Sequence, residues 1–379
     1  MEERQRIELV GSSVDNFMKG FTSKATKESY SKKLRYFLEF VGMQPDEFLA
    51  KVKEDRRFAE HSLIDYVEAR KGDGVSGSTI RQVRDALKHF LEMNDLDEGI
   101  NWKKIVKTMP RARKVGSDRA PTIEEIRHMV DNADIRMKCI ILLAVSSGIR
   151  LGAIPALRWR DLEPLEKDGK IAAAKLTVYR GEPEEYITFV TPECYEAILE
   201  YRRRREAIGE SVGPDSPLIR DAWDNNRYRQ NRKEDPRVPR PLTAKAIANE
   251  MGLFLRKIGL RGERQERYEF KQVHGFRKFF KTNAERAMKT LDVEKLMGHA
   301  ENYYKPSLDY LMAEYLKAVP HLTVSEARHL KDEMEKKIVL SDAKIGELER
   351  AGMALQERLR QIENRYRELK ELLGERNSA

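Results

Sequence analysis

The chain has 379 residues, long for a single core and comfortable for two or three domains. Charged residues make up 36% and hydrophobic residues 40%, and the longest apolar run, Cys139 to Val145, excludes a membrane span, which needs roughly 18 residues. Lys and Arg number 72 against 63 Asp and Glu, and the resulting charge of +9 leans toward polyanionic partners. Cys139 and Cys194 fit no disulfide framework or zinc spacing. The start, MEERQRIELV, lacks the apolar stretch of a signal peptide, so a reduced, cytoplasmic protein is expected.

Residues 13–102 carry helical periodicity. Tyr30, Leu34, Phe37, Leu38 and Val41 recur at three- and four-residue steps, and so do Ile80, Val83, Leu87, Phe90 and Leu91. Between them KGDGVSGST (71–79) reads as a turn in which Ser78 or Thr79 caps the second helix. A helical bundle is expected. Next, KKIVKTMPRARKVGSDRAP (103–121) holds Lys103, Lys104, Lys107, Arg111, Arg113, Lys114 and Arg119 with one acid, Asp118. A basic, breaker-rich stretch reads as a linker, either a solvated connector or a strap along phosphates.

A second domain, 122–324, opens on the capping box Thr122-Ile-Glu-Glu125. A buried helix from Met137 to Val145 is followed by a Ser-Ser-Gly turn and a short helix. AKLTVYR, a Gly-Glu-Pro-Glu turn and EYITFVT then predict a β-hairpin over 174–191. Residues 208–242 read as a polar loop, and helices resume over 243–258 and from 274. In the tail, 325–379, Ile345, Gly352, Leu359, Tyr366 and Leu373 step by seven, as do Leu348, Leu355, Ile362 and Leu369. That pattern predicts a coiled coil, against the alternative of a long helix packed on its own domain.

Four polar residues stand where polarity is costly. Arg150 follows directly on an apolar helix, and His299 ends another. His274 and Arg277 are three apart and share a helix face. Guanidinium forks match phosphate oxygens, and imidazole donates hydrogen bonds or relays protons, so together the four suit one phosphate. Singly, each has an ordinary structural account.

Their surroundings carry a resemblance. SSGIRLGAIPALRWRDL (146–162) resembles the first arginine box of the tyrosine recombinases, the phage-integrase and Xer family. HGFRKFF (274–280) resembles their His-x-x-Arg box, and LMGHAENYYKPSLDYLMAEYLKAV (296–319) resembles their final histidine and tyrosine boxes. The likeness spans about residues 13–322, and the double tyrosine and VYRGEPEEYITFVTPEC look most like archaeal integrases. The resemblance implies a mainly α fold with a small β-sheet: a helical core-binding domain and an α+β catalytic domain closing as a C-shaped clamp on double-stranded DNA. It further implies strand transfer through a 3′-phosphotyrosine without metal or nucleotide, by four protomers on two DNA sites. Arg150 and Arg277 would hold the phosphate, and His274 and His299 would assist proton transfer.

Three positions depart from the family pattern. Ala153 stands where an acid usually supports the first arginine. The hairpin has no lysine at its turn, so Lys175 in the first strand becomes the candidate to protonate the leaving 5′-oxygen. The nucleophile usually lies about nine residues past the last histidine; here Tyr303 and Tyr304 follow His299 by four and five residues and Tyr310 by eleven. Tyr304 is preferred for the Lys-Pro-Ser break after it, and Tyr315 is expected in the core. Two other readings stay open: a monomeric type IB topoisomerase, and a non-catalytic DNA-binding scaffold that uses its coiled coil for partners.

Overall fold

The computed structural model describes residues 7–110, 119–221, 242–262, 272–299 and 303–376. Contacts divide the chain into Met1–Gly116 and Ser117–Ala379. The first unit is all helical: α1 (Ser12–Lys19), α2 (Lys24–Val41), α3 (Pro45–Glu54), α4 (Arg56–Gly72), α5 (Gly77–Glu92) and α6 (Trp102–Thr108). The expected periodic stripes on α2 and α5 face each other, and Phe17, Phe37, Phe48 and Phe90 close the core at zero exposure. Each such side chain contributes roughly 1.5–3 kcal/mol by leaving water.

Two expectations are corrected here. The cap of α5 is Ser76, whose hydroxyl accepts from the Thr79 amide, rather than Ser78 or Thr79. The basic stretch also does not begin as linker, because Lys103, Lys104 and Lys107 lie on α6. That helix is anchored by buried Ile105 and by Lys104 Nζ, 2.6 Å from the buried carboxylate of Glu60. Most of the remaining stretch, 111–118, lies outside the described residues, as does 222–241 of the expected polar loop.

The second unit starts with α7 (Ile123–Asn132), where the Thr122–Glu125 capping box forms as expected, and α8 (Ile135–Ser147). From Cys139 to Ser147 every residue of α8 is buried, which is the pattern of a helix apolar all round and covered on all sides. A three-stranded antiparallel sheet follows, β1 (Leu162–Lys167), β2 (Lys170–Val178) and β3 (Tyr186–Val190), in the order β1-β2-β3. The hairpin is β2–β3, and β1 is an additional strand; its proline and exposed side chains gave no alternation to read. Around α8 lie α9 (Pro192–Ala207), α11 (Gln272–Ala284) and α13 (Leu308–Leu322). Helices α10 (Ala244–Lys257) and α12 (Thr290–Leu296) flank them, and α14 (Glu326–Arg376) ends the chain. Tyr315 is in the core, as expected, with its hydroxyl donating to the Ser146 carbonyl at 2.8 Å. Among the described residues no helix is long and apolar enough to cross a membrane.

Candidate active site

The site grows from the C-terminal end of α8. A helix end leaves carbonyls without intrahelical partners, and here other elements supply the donors. Tyr315 on α13 donates to Ser146, the Thr188 hydroxyl on β3 donates to Ser147 at 3.1 Å, and Arg277 on α11 donates to Gly148. Gly148 is left-handed, at φ 61°, and any side chain there would run into the Phe280 ring. The chain therefore turns sharply, and Arg150 leaves the turn half-buried.

On α11 the apolar residues Val273, Phe276, Phe279 and Phe280 pack inward, fixing the face that carries His274 and Arg277. Arg277 is only 7% exposed. Its Nη2 donates to the Met297 carbonyl at 2.7 Å and stands 2.8 Å from His299 Nε2. On the other side of the ring, His299 Nδ1 pairs with Glu294, which also pairs with Lys281. Glu294 is thus a bridge between an α11 cation and the imidazole. Burial raises its pKa, but the bonds from Lys281 and His299 outweigh that and hold it below the usual carboxylate value.

Arg150, His274, Arg277 and His299 line one cavity of about 600 Å³, together with Arg261 from the turn after α10. Burial, and then the charge of Arg150, push Arg277 below the ordinary guanidinium value. Two like charges held this close repel, and an anion placed between them relieves the repulsion. The clustered cations give the cavity a chemistry suited to an anion.

A second cavity, of about 1060 Å³, shares Arg150 and is lined by Arg158, Arg160, Arg180, Lys295 and Tyr186 among others. Tyr186 is 9% exposed, and its hydroxyl sits beside the Arg277 guanidinium without a well-aligned hydrogen bond. Burial raises its pKa, while the charges of Arg277 and Arg150 act in the opposite direction. Gly298, at φ 68°, lies against the Tyr186 ring so closely that an added Cβ would fall 2.7 Å from it.

The other expected residues are placed differently. Lys175 lies mid-strand opposite Glu163, with Nζ 2.8 Å from the carboxylate, and is not among the residues lining either cavity. At the hairpin turn stands Arg180, held by Asp161 at 2.6 Å. Ala153 is buried, so it offers Arg150 no acid; one guanidinium nitrogen of Arg150 reaches the Gly298 carbonyl at 3.5 Å. Tyr303 is fully exposed. The Tyr304 hydroxyl donates to Asp292 on α12, and the Tyr310 hydroxyl donates to the other oxygen of the same carboxylate at 3.1 Å. Asp292 is completely buried, and its hydrogen bond to Tyr304 raises the pKa of that phenol well above the ordinary value. Among the described residues no tyrosine lines the 600 Å³ cavity.

The residues not anticipated are Arg261, Tyr186, Asp292 and Glu294. Glu294 carried a signal, since it precedes His299 by five residues across one helix end; the others depend on elements distant in the chain.

This arrangement, a helical first unit followed by an α8-centred second unit with a three-stranded sheet, is the fold of tyrosine recombinases and integrases of known structure. The particular likenesses are to XerH site-specific recombinase in a post-cleavage complex with its palindromic difH substrate and to a lambda integrase (75–356) dimer bound to a COC′ core site. The XerH structure is 14% identical with a TM-score of 0.52, covering 83% of this chain and 87% of that one. The integrase structure is 16% identical with a TM-score of 0.50, covering 78% of this chain and 98% of that one. No family model matches the sequence, and no curated protein matches it.

Proposed function

We propose that the chain is a tyrosine-type site-specific DNA recombinase that cuts and rejoins duplex DNA through a 3′-phosphotyrosine. The observation that carries this reading is the convergence of Arg150, His274, Arg277 and His299 on one cavity from three separate stretches of sequence. In the proposed step a phenolic oxygen forms a bond to phosphorus and the bond to the 5′-oxygen breaks. The phenol gives up its proton, and the departing 5′-oxygen takes one up. Arg150 and Arg277 stabilise charge on the non-bridging oxygens; removing one preorganised donor of this kind typically costs on the order of 10²–10³ in rate. His274 and His299 are the proton-transferring and phosphate-bonding groups. The phosphotyrosine keeps the energy of the phosphodiester, so the step reverses with a new 5′-hydroxyl and requires neither nucleotide nor metal.

Tyr304 is the proposed nucleophile, and it attacks only after leaving Asp292. Lys175 serves as general acid only if Glu163 releases it. Duplex DNA is the proposed partner, with four protomers on two sites. The hold of Asp292 on Tyr304 favours a second reading, a DNA-binding scaffold whose phenol never reaches the phosphate.

The test is a nicked suicide duplex made from the sequences flanking the gene itself, with phenylalanine in turn at Tyr303, Tyr304 and Tyr310. A covalent protein–DNA adduct lost only with Tyr304→Phe supports the proposal. An adduct that survives Tyr304→Phe moves the nucleophile, and salt-sensitive binding without any adduct supports the scaffold.

A further inference from the structure

Helix α14 spans 51 residues, about 77 Å at 1.5 Å per residue. Among its described side chains, the large apolar ones are not covered by the rest of the chain. Met334, Ile338, Ile345, Leu348, Leu355, Leu359 and Ile362 are between 50% and 67% exposed. With Ile345 at position a of a heptad, these seven fall on a or d and form one seam, while the exposed Leu330 and Met353 fall outside it on g and b.

The charges beside the seam are sorted. Position g carries Lys337, Lys344, Arg358 and Arg365, all basic. Position e carries Asp342, Glu349 and Glu363, all acidic, before Lys370 near the end. In a parallel pair, each g residue faces the e residue of the following heptad on the other helix. That sets Lys344 against the partner's Glu349, and Arg358 against the partner's Glu363. By two-fold symmetry each of these pairs occurs twice. Among the described side chains no such pair sets like charges together. An antiparallel pair would instead set g against g and e against e, bases on bases and acids on acids.

We propose that α14 pairs with α14 of a second copy of this chain as a parallel, in-register coiled coil. Ile338 and Ile345 at a with Leu348 and Leu355 at d is the pattern that favours two strands; Met334 and Ser341 at d, Gly352 at a and the step from Leu359 to Ile362 depart from it. Because the helices run the same way, the two catalytic units leave the coil at the same end. The inference rests on α14 alone and is tested without DNA, so it stands or falls apart from the recombinase reading.

The experiment uses the full chain. Ser341 occupies a d position and is exposed, so Ser341→Cys places two thiols face to face only in a parallel, in-register pair. The native thiols, Cys139 and Cys194, are buried. Light scattering on the eluting protein is expected to give a dimer, and Ser341→Cys is expected to give a disulfide-linked dimer in a glutathione buffer. Adding Glu349→Lys and Glu363→Lys should weaken association on the order of a hundredfold, since four attractive pairs become repulsive. Mixing that variant with a Lys344→Glu, Arg358→Glu chain should restore it. A monomeric wild type, a dimer indifferent to the charge reversals, or a dimer in which Ser341→Cys fails to cross-link overturns the proposal.

Discussion

Replacing Asp292 with asparagine tests whether the Tyr304 phenol is held back by a carboxylate. Asp292 is fully buried and accepts from two phenols, Tyr304 and Tyr310. A hydrogen bond to a charged group contributes about 1.5–3 kcal/mol, and one between neutral groups about 0.5–1.5 kcal/mol. Tyr304 is partly open to water, which favours the lower end of both ranges and leaves a difference of about 1 kcal/mol. Released phenol should then be about five times more abundant in Asp292→Asn, at 1.36 kcal/mol per factor of ten. The assay is the initial rate of covalent adduct formation on a nicked suicide duplex, with Tm measured alongside. Adduct should form roughly fivefold faster at similar Tm, and the Tyr304 pKa should fall toward the ordinary tyrosine value in a ¹³C-tyrosine titration. Slower adduct formation at unchanged Tm would refute the reasoning, because Asp292 would then be activating the phenol rather than retaining it.

Three further outcomes are expected. Tyr186→Phe removes a buried hydroxyl that sits beside Arg277 without a well-aligned hydrogen bond, so stability should change by no more than about 1 kcal/mol while adduct formation slows; a larger loss of stability with unchanged cleavage would place Tyr186 outside the site. Glu294 has a lowered pKa, so its contribution is present above the ordinary glutamate value and lost as pH falls through the depressed folded value. Denaturation of wild type and Glu294→Gln should therefore differ by about 0.5–1 kcal/mol at neutral pH, given partly exposed partners, and converge once the pH is below that depressed value; a constant gap at low pH would dissociate the effect from ionisation. Burial pushes the Cys194 thiol up to about 12 and Cys139 well above its usual value, so neither should react with a thiol reagent at pH about 8 in the native state, while both should in denaturant.

Much of this architecture was legible in the chain because it is written locally. The apolar steps of α2 and α5, the all-apolar α8 and the capping box at Thr122 each depend on residues within one or two turns of each other. So does the three-residue spacing that puts His274 and Arg277 on one side of α11. Strand β1 was missed because LEPLEK shows no alternation and becomes a strand only by pairing with β2. Helix α6 was hidden inside a basic stretch, since the buried acid that steadies Lys104 is Glu60, 44 residues earlier.

The residue types suited to a phosphate, and their order, were fixed by the sequence alone, because they are carried by short motifs at helix ends. Which of them meet was decided by tertiary packing. Arg277 reaches Gly148 across 129 residues, and Tyr304 finds its carboxylate on α12 rather than in the cavity. Spacing along a helix sets which side chains share a face, whereas a hydrogen bond between elements exists only once a core has brought the two backbones together.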